Sequence, residues 1–273
     1  MRKLLGSTDK NRLVEYVSVE PEINIYILGD VEAYGIDNPI EVVAFESHGD
    51  WDAVVLSLFN NFVVYSTDDS FDPDTVASYI RAKAKNGIPT HVNARLDIAD
   101  GLEPSFPELC LERCWLATCR EVALDSGCPL PSPFELRPVG PNDLIELLDA
   151  VDDANGRTGK RPLADQEAAT QRKLASFATG NRSYAIFEKD RILSTASTSA
   201  AYSKGAMLTG VATRKAYRNQ GLATAVTRTL CSDCLADGMD YVALCYVNPV
   251  AARIYHRIGF KDIARFGVFS RRS

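Results

Sequence analysis

The sequence lacks what several protein classes require. No run approaches the ~18 consecutive apolar residues of a membrane-spanning helix, so no membrane partner is expected. The N-terminus MRKLLGSTDK puts two basic residues before an apolar stretch too short for a secretory signal, which favours a cytoplasmic protein. Histidine is scarce: His48, His91 and His256 are scattered along the chain. The seven cysteines (Cys110, Cys114, Cys119, Cys128, Cys231, Cys234 and Cys245) are odd in number and unevenly spaced, as expected of free thiols in a reducing compartment. Cys231-x-x-Cys234 has the spacing of half a zinc site. No second pair or nearby histidine completes four ligands, so no metal is expected. The 46% hydrophobic and 24% charged residues are near globular averages and exclude a disordered chain. A length of 273 residues suits one large domain or two of ordinary size.

Positive charge is scarce in one half only. Residues 1–133 carry 10 Lys/Arg against 22 Asp/Glu, whereas residues 134–273 carry 20 against 14. The acidic first half argues against a protein wrapped by nucleic acid. No interleaving of basic and aromatic residues supports that partner either. The basic second half suits a small anionic ligand. The reversal coincides with Ser126-Gly-Cys-Pro-Leu-Pro-Ser-Pro133, where three prolines in five residues forbid helix and sheet interior alike. The chain therefore reads as an α/β lobe over 1–125, a linker over 126–133 and a second lobe over 134–273.

Hydrophobic periodicity predicts the elements of the second lobe. A strand spans 134–139, and Asn142 caps a helix to about 154. A helix follows over 165–178, then strands over 183–188, 192–201 and 206–212. A helix over 221–236, a strand over 241–247, a helix opened by Pro249 and a strand near 263–269 complete it. The first half shows a similar order. A helical region lies within 11–35 and strands over 41–46, 53–58 and 62–66, with Asn60-Asn61 as a tight turn. A helix over 72–85 and strands near 90–96 and 114–119 follow. The parallel suggests a distant duplication.

The chemistry concentrates in Leu208-Thr-Gly-Val-Ala-Thr-Arg-Lys-Ala-Tyr-Arg-Asn-Gln-Gly-Leu-Ala-Thr-Ala-Val226. A strand ends near Thr213, a polar turn carries Arg214, Lys215, Arg218, Asn219 and Gln220, and Gly221 opens a helix. Free N–H groups and the helix dipole at such a start favour a phosphate group. Small residues at 221 and 223 let the backbone approach it closely. A second signature follows: Asn248-Pro-Val-Ala-Ala252-Arg-Ile-Tyr255-His-Arg-Ile-Gly-Phe260.

The two together resemble the GNAT superfamily of N-acetyltransferases, which pairs an Arg/Gln-x-x-Gly-x-Gly/Ala loop for the pyrophosphate of coenzyme A with a later Asn…Ala…Tyr…Gly-Phe block. The resemblance covers 134–273 and is strongest over 208–260. It implies a mixed α/β (α+β) sheet of GNAT acyl-CoA N-acyltransferase fold in the C-terminal lobe. The smaller first lobe then reads as a divergent GNAT-like copy, as in tandem GNAT proteins with one working lobe. It further implies that the edge Val211, Ala212 and Thr213 bonds the pantetheine arm by main chain. The N–H groups of Arg218, Asn219, Gln220, Gly221, Leu222, Ala223 and Thr224 would cradle the pyrophosphate. Asn248 would contact pantetheine, and Ala252 would be small to let it pass. A bulge at or beside Gly210 would open the cleft, with the Val211 N–H as oxyanion donor. Tyr255, two helical turns from Asn248 on one face, would be the catalytic acid that protonates the leaving thiolate.

The implied activity is transfer of acetyl from acetyl-CoA, or another short acyl-CoA, to a primary amine of a small molecule or peptide. The alternative is a non-catalytic acyl-CoA-binding regulatory module. No general base stands out. Glu188 lies in a Glu-Lys-Asp-Arg turn and reads as solvated, and Tyr246 and Cys245 alternate across a strand without being bases at neutral pH, so a water chain is the expected route. Gly156-Arg-Thr-Gly-Lys160-Arg161 imitates a P-loop but has two residues, not four, between its glycines and no Ser/Thr after the lysine. It reads as a basic surface loop or lid. The acidic run Asp68-Asp69-Ser-Phe-Asp72-Pro-Asp74 occupies the phosphate-loop position of the first lobe, where carboxylates would repel pyrophosphate. That lobe is therefore not expected to bind coenzyme A.

Overall fold

The computed structural model describes residues 1–67, 71–123, 130, 132–157, 159 and 161–271. Residues 126–129 and 131 of the expected linker, 68–70 of the acidic run, and 158 and 160 of the basic loop lie outside them. The chain forms two compact units. One comprises Met1–Ala117, Cys245–Val247 and Asp262–Ser273, and the other Thr118–Leu244 and Asn248–Lys261. Among the described residues no helix is long and apolar enough to cross a membrane.

The first unit runs β1 (Arg2–Leu4), α1 (Lys10–Val17), α2 (Ile25–Tyr34), β2 (Ile40–Ser47), β3 (Asp50–Leu58), β4 (Asn61–Tyr65), α3 (Pro73–Lys83), β5 (His91–Arg95), α4 (Leu96–Leu102) and β6 (Leu109–Cys119). Val76, Tyr79 and Ile80 of α3 fall one turn apart and pack on Phe62, Val64, Val92 and Ala94 of the sheet. Asp72 caps α3, accepting from the Asp74 N–H at 3.1 Å and the Thr75 hydroxyl at 2.6 Å. The β3–β4 turn falls on Phe59 and Asn60, one residue earlier than expected. Both adopt left-handed φ, +52° and +85°, as a two-residue hairpin turn demands. Asn60 fits there because its side chain also reaches the Ile88 carbonyl at 3.1 Å and the Thr90 hydroxyl at 2.9 Å.

The last strand of the chain, β12 (Lys261–Arg271), takes a place in this first sheet, whose order is β1-β2-β3-β4-β5-β12-β6. It runs antiparallel to β5 with Phe266 opposite Arg95 and Ser270 opposite His91. Phe269 drives this placement: it is fully buried and meets Phe106 edge to face with centroids 5.8 Å apart.

The second unit contains β7 (Glu135–Pro138), α5 (Leu144–Ala154), α6 (Leu163–Ala178), β8 (Ser183–Glu188), β9 (Arg191–Tyr202), β10 (Gly205–Thr213), α7 (Leu222–Ala236), β11 (Tyr241–Tyr246) and α8 (Pro249–Ile258). Its sheet runs β11-β10-β9-β8-β7, antiparallel except for the parallel β10–β11 pair. Leu144, Leu147 and Ala150 of α5 pack on Ala185, Phe187 and Ile192. Asn142 does not cap α5. A single 3₁₀ turn over Pro141–Asp143 precedes it, and the Asp143 carboxylate takes the Gly140 N–H at 2.8 Å. Arg137 holds that carboxylate by two bonds of 2.7 and 3.0 Å. The element order β-α-α-β-β-β-α-β-α-β thus occurs twice in succession along the chain.

Candidate active site

The site grows from a defect in β10. Its register with β9 shifts between Thr209 and Ala212, so Gly210 and Val211 face a single residue of β9. Gly210 has φ +59°, open to glycine without a Cβ penalty. On the other side, β10 pairs with β11 only through Gly205–Met207 and Tyr241–Ala243. Beyond Met207 the far edge of β10 has no strand partner among the described residues, and its main-chain groups can bond an extended ligand.

A cleft of about 650 Å³ opens at this edge, all of it within the second unit. Val211, Ala212 and Thr213 of β10 line it, with Arg218, Asn219, Gly221, Leu222, Ala223 and Thr224 of the turn and α7 start, and Asn248 and Tyr255 of the α8 segment. Two residues expected in the site are absent from the lining: Gln220 is exposed on the loop, and Ala252 is half-buried on α8.

Gly221 begins α7 with left-handed φ +77° and ψ 0°, and Asn219 is also left-handed at +62°. A Cβ at 221 would meet open space, so φ rather than crowding requires glycine there. The first main-chain bond back into α7 is made by Ala225, to the Gly221 carbonyl at 3.0 Å. The helix start has no side-chain cap. Its first N–H groups are therefore without a side-chain cap, on residues that line the cleft.

The basic residues of the turn divide by role. Arg214, at the start of the turn, is buried. It donates to the Ile192 carbonyl at 2.6 Å and to Glu146 and Asp149 at 2.6 and 2.7 Å. This fixes the end of β10 to β9 and α5. Arg218 spans the Thr213 carbonyl at 3.3 Å and the Ala154 carbonyl at 2.6 Å, which sets the loop's path. Asn248 caps α8 by accepting the Val250 N–H at 2.8 Å. Tyr255 is half-buried, with Phe260 edge-on at 5.8 Å. Burial, then the neighbouring Cys231, pushes its phenol above the ordinary tyrosine range. The phenol thus keeps its proton at neutral pH.

The remaining candidates fall elsewhere. Glu188 accepts from the Tyr217 hydroxyl at 3.2 Å. Tyr246 donates to Asp262 at 2.8 Å. Arg161 of the basic loop pairs with Asp152 through two bonds of 2.6 and 2.7 Å. Cys231 and Cys234 are buried free thiols on α7, one turn apart, and burial raises Cys234 to about 11. The sequence reading missed Tyr217, which lies within the quoted 208–226 segment, and Ala154 and Asn155, which reach the cleft from the end of α5. It also missed Val250, Ala251, Arg253, Ile254 and Arg257 of α8. The α8 residues lie inside the motif block, and their helical spacing was the available signal. For Ala154 and Asn155 there was none.

Residues 164–269 match the family model of GNAT acetyltransferases. No curated protein matches the sequence. Among solved structures, a GCN5-related N-acetyltransferase-like protein from Streptococcus suis is similar over 98% of this chain and 100% of its own, at 17% identity and TM-score 0.62. A GCN5-related N-acetyltransferase from Sphaerobacter thermophilus is similar over 98% and 94%, at 17% identity and TM-score 0.65. A tandem GNAT protein from the clavulanic acid biosynthesis pathway, solved without AcCoA, is similar over 98% and 97%, at 11% identity and TM-score 0.63. At such identities the structural likeness establishes fold alone. The family's general activity is N-acetyl transfer, typically from acetyl-CoA. Residues 164–269 are thus similar to GNAT acetyltransferase domains, and the chain has the mixed α/β fold of GNAT structures over nearly its whole length.

Proposed function

We propose that the second lobe, residues 134–273, moves acetyl from acetyl-CoA to a primary amine of a small molecule or peptide, by direct attack in a ternary complex. One observation carries this reading: an opened strand edge, an uncapped helix start and a protonated phenol border the same cleft. The first N–H groups of α7, with those of the loop from Arg218, bind the pyrophosphate. The main chain of Val211–Thr213 and the amide of Asn248 orient the pantetheine arm. The Val211 N–H polarises the thioester carbonyl as the amine nitrogen forms its bond to carbon. As the carbon–sulfur bond breaks, the Tyr255 hydroxyl gives its proton to the departing sulfur. The described lining holds no Asp, Glu or His, which supports loss of the amine proton through water.

The first lobe, residues 1–125, serves in this reading as a structural partner joined through 126–133. Three features support its exclusion from donor binding. β3 and β4 pair without irregularity from Val54↔Tyr65 to Leu58↔Asn61. β4 stays paired with β5 over Asn61–Val64. The Asp72 carboxylate occupies the start of α3.

The test is thiol release from acetyl-CoA over a panel of primary amines, with the acetylated product identified by mass spectrometry. The reading expects amine-dependent release that Tyr255→Phe suppresses. Tight acetyl-CoA binding with no transfer to any amine would leave a binding module instead.

A further inference from the structure

Coenzyme A carries a diphosphate and, separately, a phosphate monoester on its ribose. The start of α7 offers one set of backbone donors, suited to the diphosphate. The second phosphate needs its own positive charge, and most cations near the cleft are already engaged. Arg214 is buried against Glu146 and Asp149, and Arg218 spans two carbonyls. Arg253 and Arg257 remain. Both line the cleft, both are exposed, and they stand one turn apart on one face of α8. Neither makes an ion pair or a side-chain hydrogen bond with a described residue. Like charges at this spacing repel in the free protein, and a dianion between them would remove that repulsion.

We propose that Arg253 and Arg257 form a phosphate-monoester subsite at the rim of the cleft, which recognises the 3′-phosphate of the donor; this rests on the acetyl-CoA reading above. Two guanidinium forks suit a phosphate dianion by charge-assisted hydrogen bonds. The exposed position makes the recognition sensitive to salt.

The test is calorimetric titration with coenzyme A and with dephospho-coenzyme A, at low and high ionic strength, for the wild type and an Arg253→Gln/Arg257→Gln double variant. Glutamine keeps helix propensity, and both sites are exposed, so the thermal midpoint should not fall. The wild type is expected to prefer coenzyme A by about tenfold or more at low salt, and less at high salt. The double variant should bind both ligands as the wild type binds dephospho-coenzyme A. A wild type without preference, or a variant that keeps it, overturns the subsite while leaving the donor reading intact. So does a variant that keeps the preference but shows a raised KM for an anionic acceptor, because the pair then serves the acceptor. A wild type that binds neither ligand overturns the donor reading and the subsite with it.

Discussion

A phenol can donate a proton only while it has one, and the surroundings of Tyr255 keep it protonated. Tyr255→Phe should lower kcat by about 10²-fold and change coenzyme A affinity little, read by steady-state rates beside calorimetry. Unchanged turnover would remove Tyr255 from the acid role. The rate decline caused by its ionisation should lie above pH ~10, the ordinary tyrosine value. Asp30 in the first unit offers a second titration. Burial raises its carboxyl from 3.8 to about 7. Between those values the folded state holds more protons than the unfolded one, so stability falls as pH rises through that window and levels off above it. Asp30→Asn should flatten this decline, worth up to about 4 kcal/mol at pH 8 if the whole shift is expressed. Denaturant melts from pH 4 to 8 would show it, and parallel curves for the two proteins would refute it.

The working elements are held in place by residues that touch no ligand. Arg214 ties the end of β10 to α5, and Arg214→Leu leaves Glu146 without its cation. It should cost about 3 kcal/mol and weaken acetyl-CoA binding by releasing the β10 edge. A variant as stable as wild type in a urea melt would contradict this. Much of this layer was legible in the sequence. The strand–turn–helix around Gly221 and the Asn248–Phe260 block have local spacing, and strict periodicity placed β8, β9, β10 and α7 within a residue or two. The resemblance implied a bulge at or beside Gly210, and the register shift between Thr209 and Ala212 falls there. What was not legible depends on long-range contact. The turn lettering alone gave Arg214 no role distinct from its neighbours. Only the fold shows Glu146 and Asp149, some 65 residues earlier, closing around it. The Asn142 cap failed because the 3₁₀ turn Pro141–Asp143 takes Asn142 into its interior and moves the start of α5 to Leu144.

At the scale of the molecule, the repeated element order is consistent with a duplication that sequence identity no longer displays. The last strand carries a consequence. Because β12 pairs with β5, a piece ending at residue 125 lacks a strand from within its own sheet. It would expose the main chain of β5 and uncover Phe106, which packs on Phe269. Residues 1–125 expressed alone should therefore aggregate or melt without a cooperative transition. Adding a peptide of residues 261–271 should restore order, and a cooperative, monomeric 1–125 fragment would refute the strand's role.

The central claim is that the cleft beside the start of α7 binds acetyl-CoA, and calorimetric titration of the full chain beside Gly221→Glu tests it most directly. A carboxylate at 221 faces the open space a pyrophosphate would fill, and a side chain there also strains the left-handed backbone by about 1 kcal/mol, too little to unfold the lobe. The account predicts micromolar binding to the wild type and none to the variant, with the fold intact by circular dichroism. Equal binding to both proteins would contradict it.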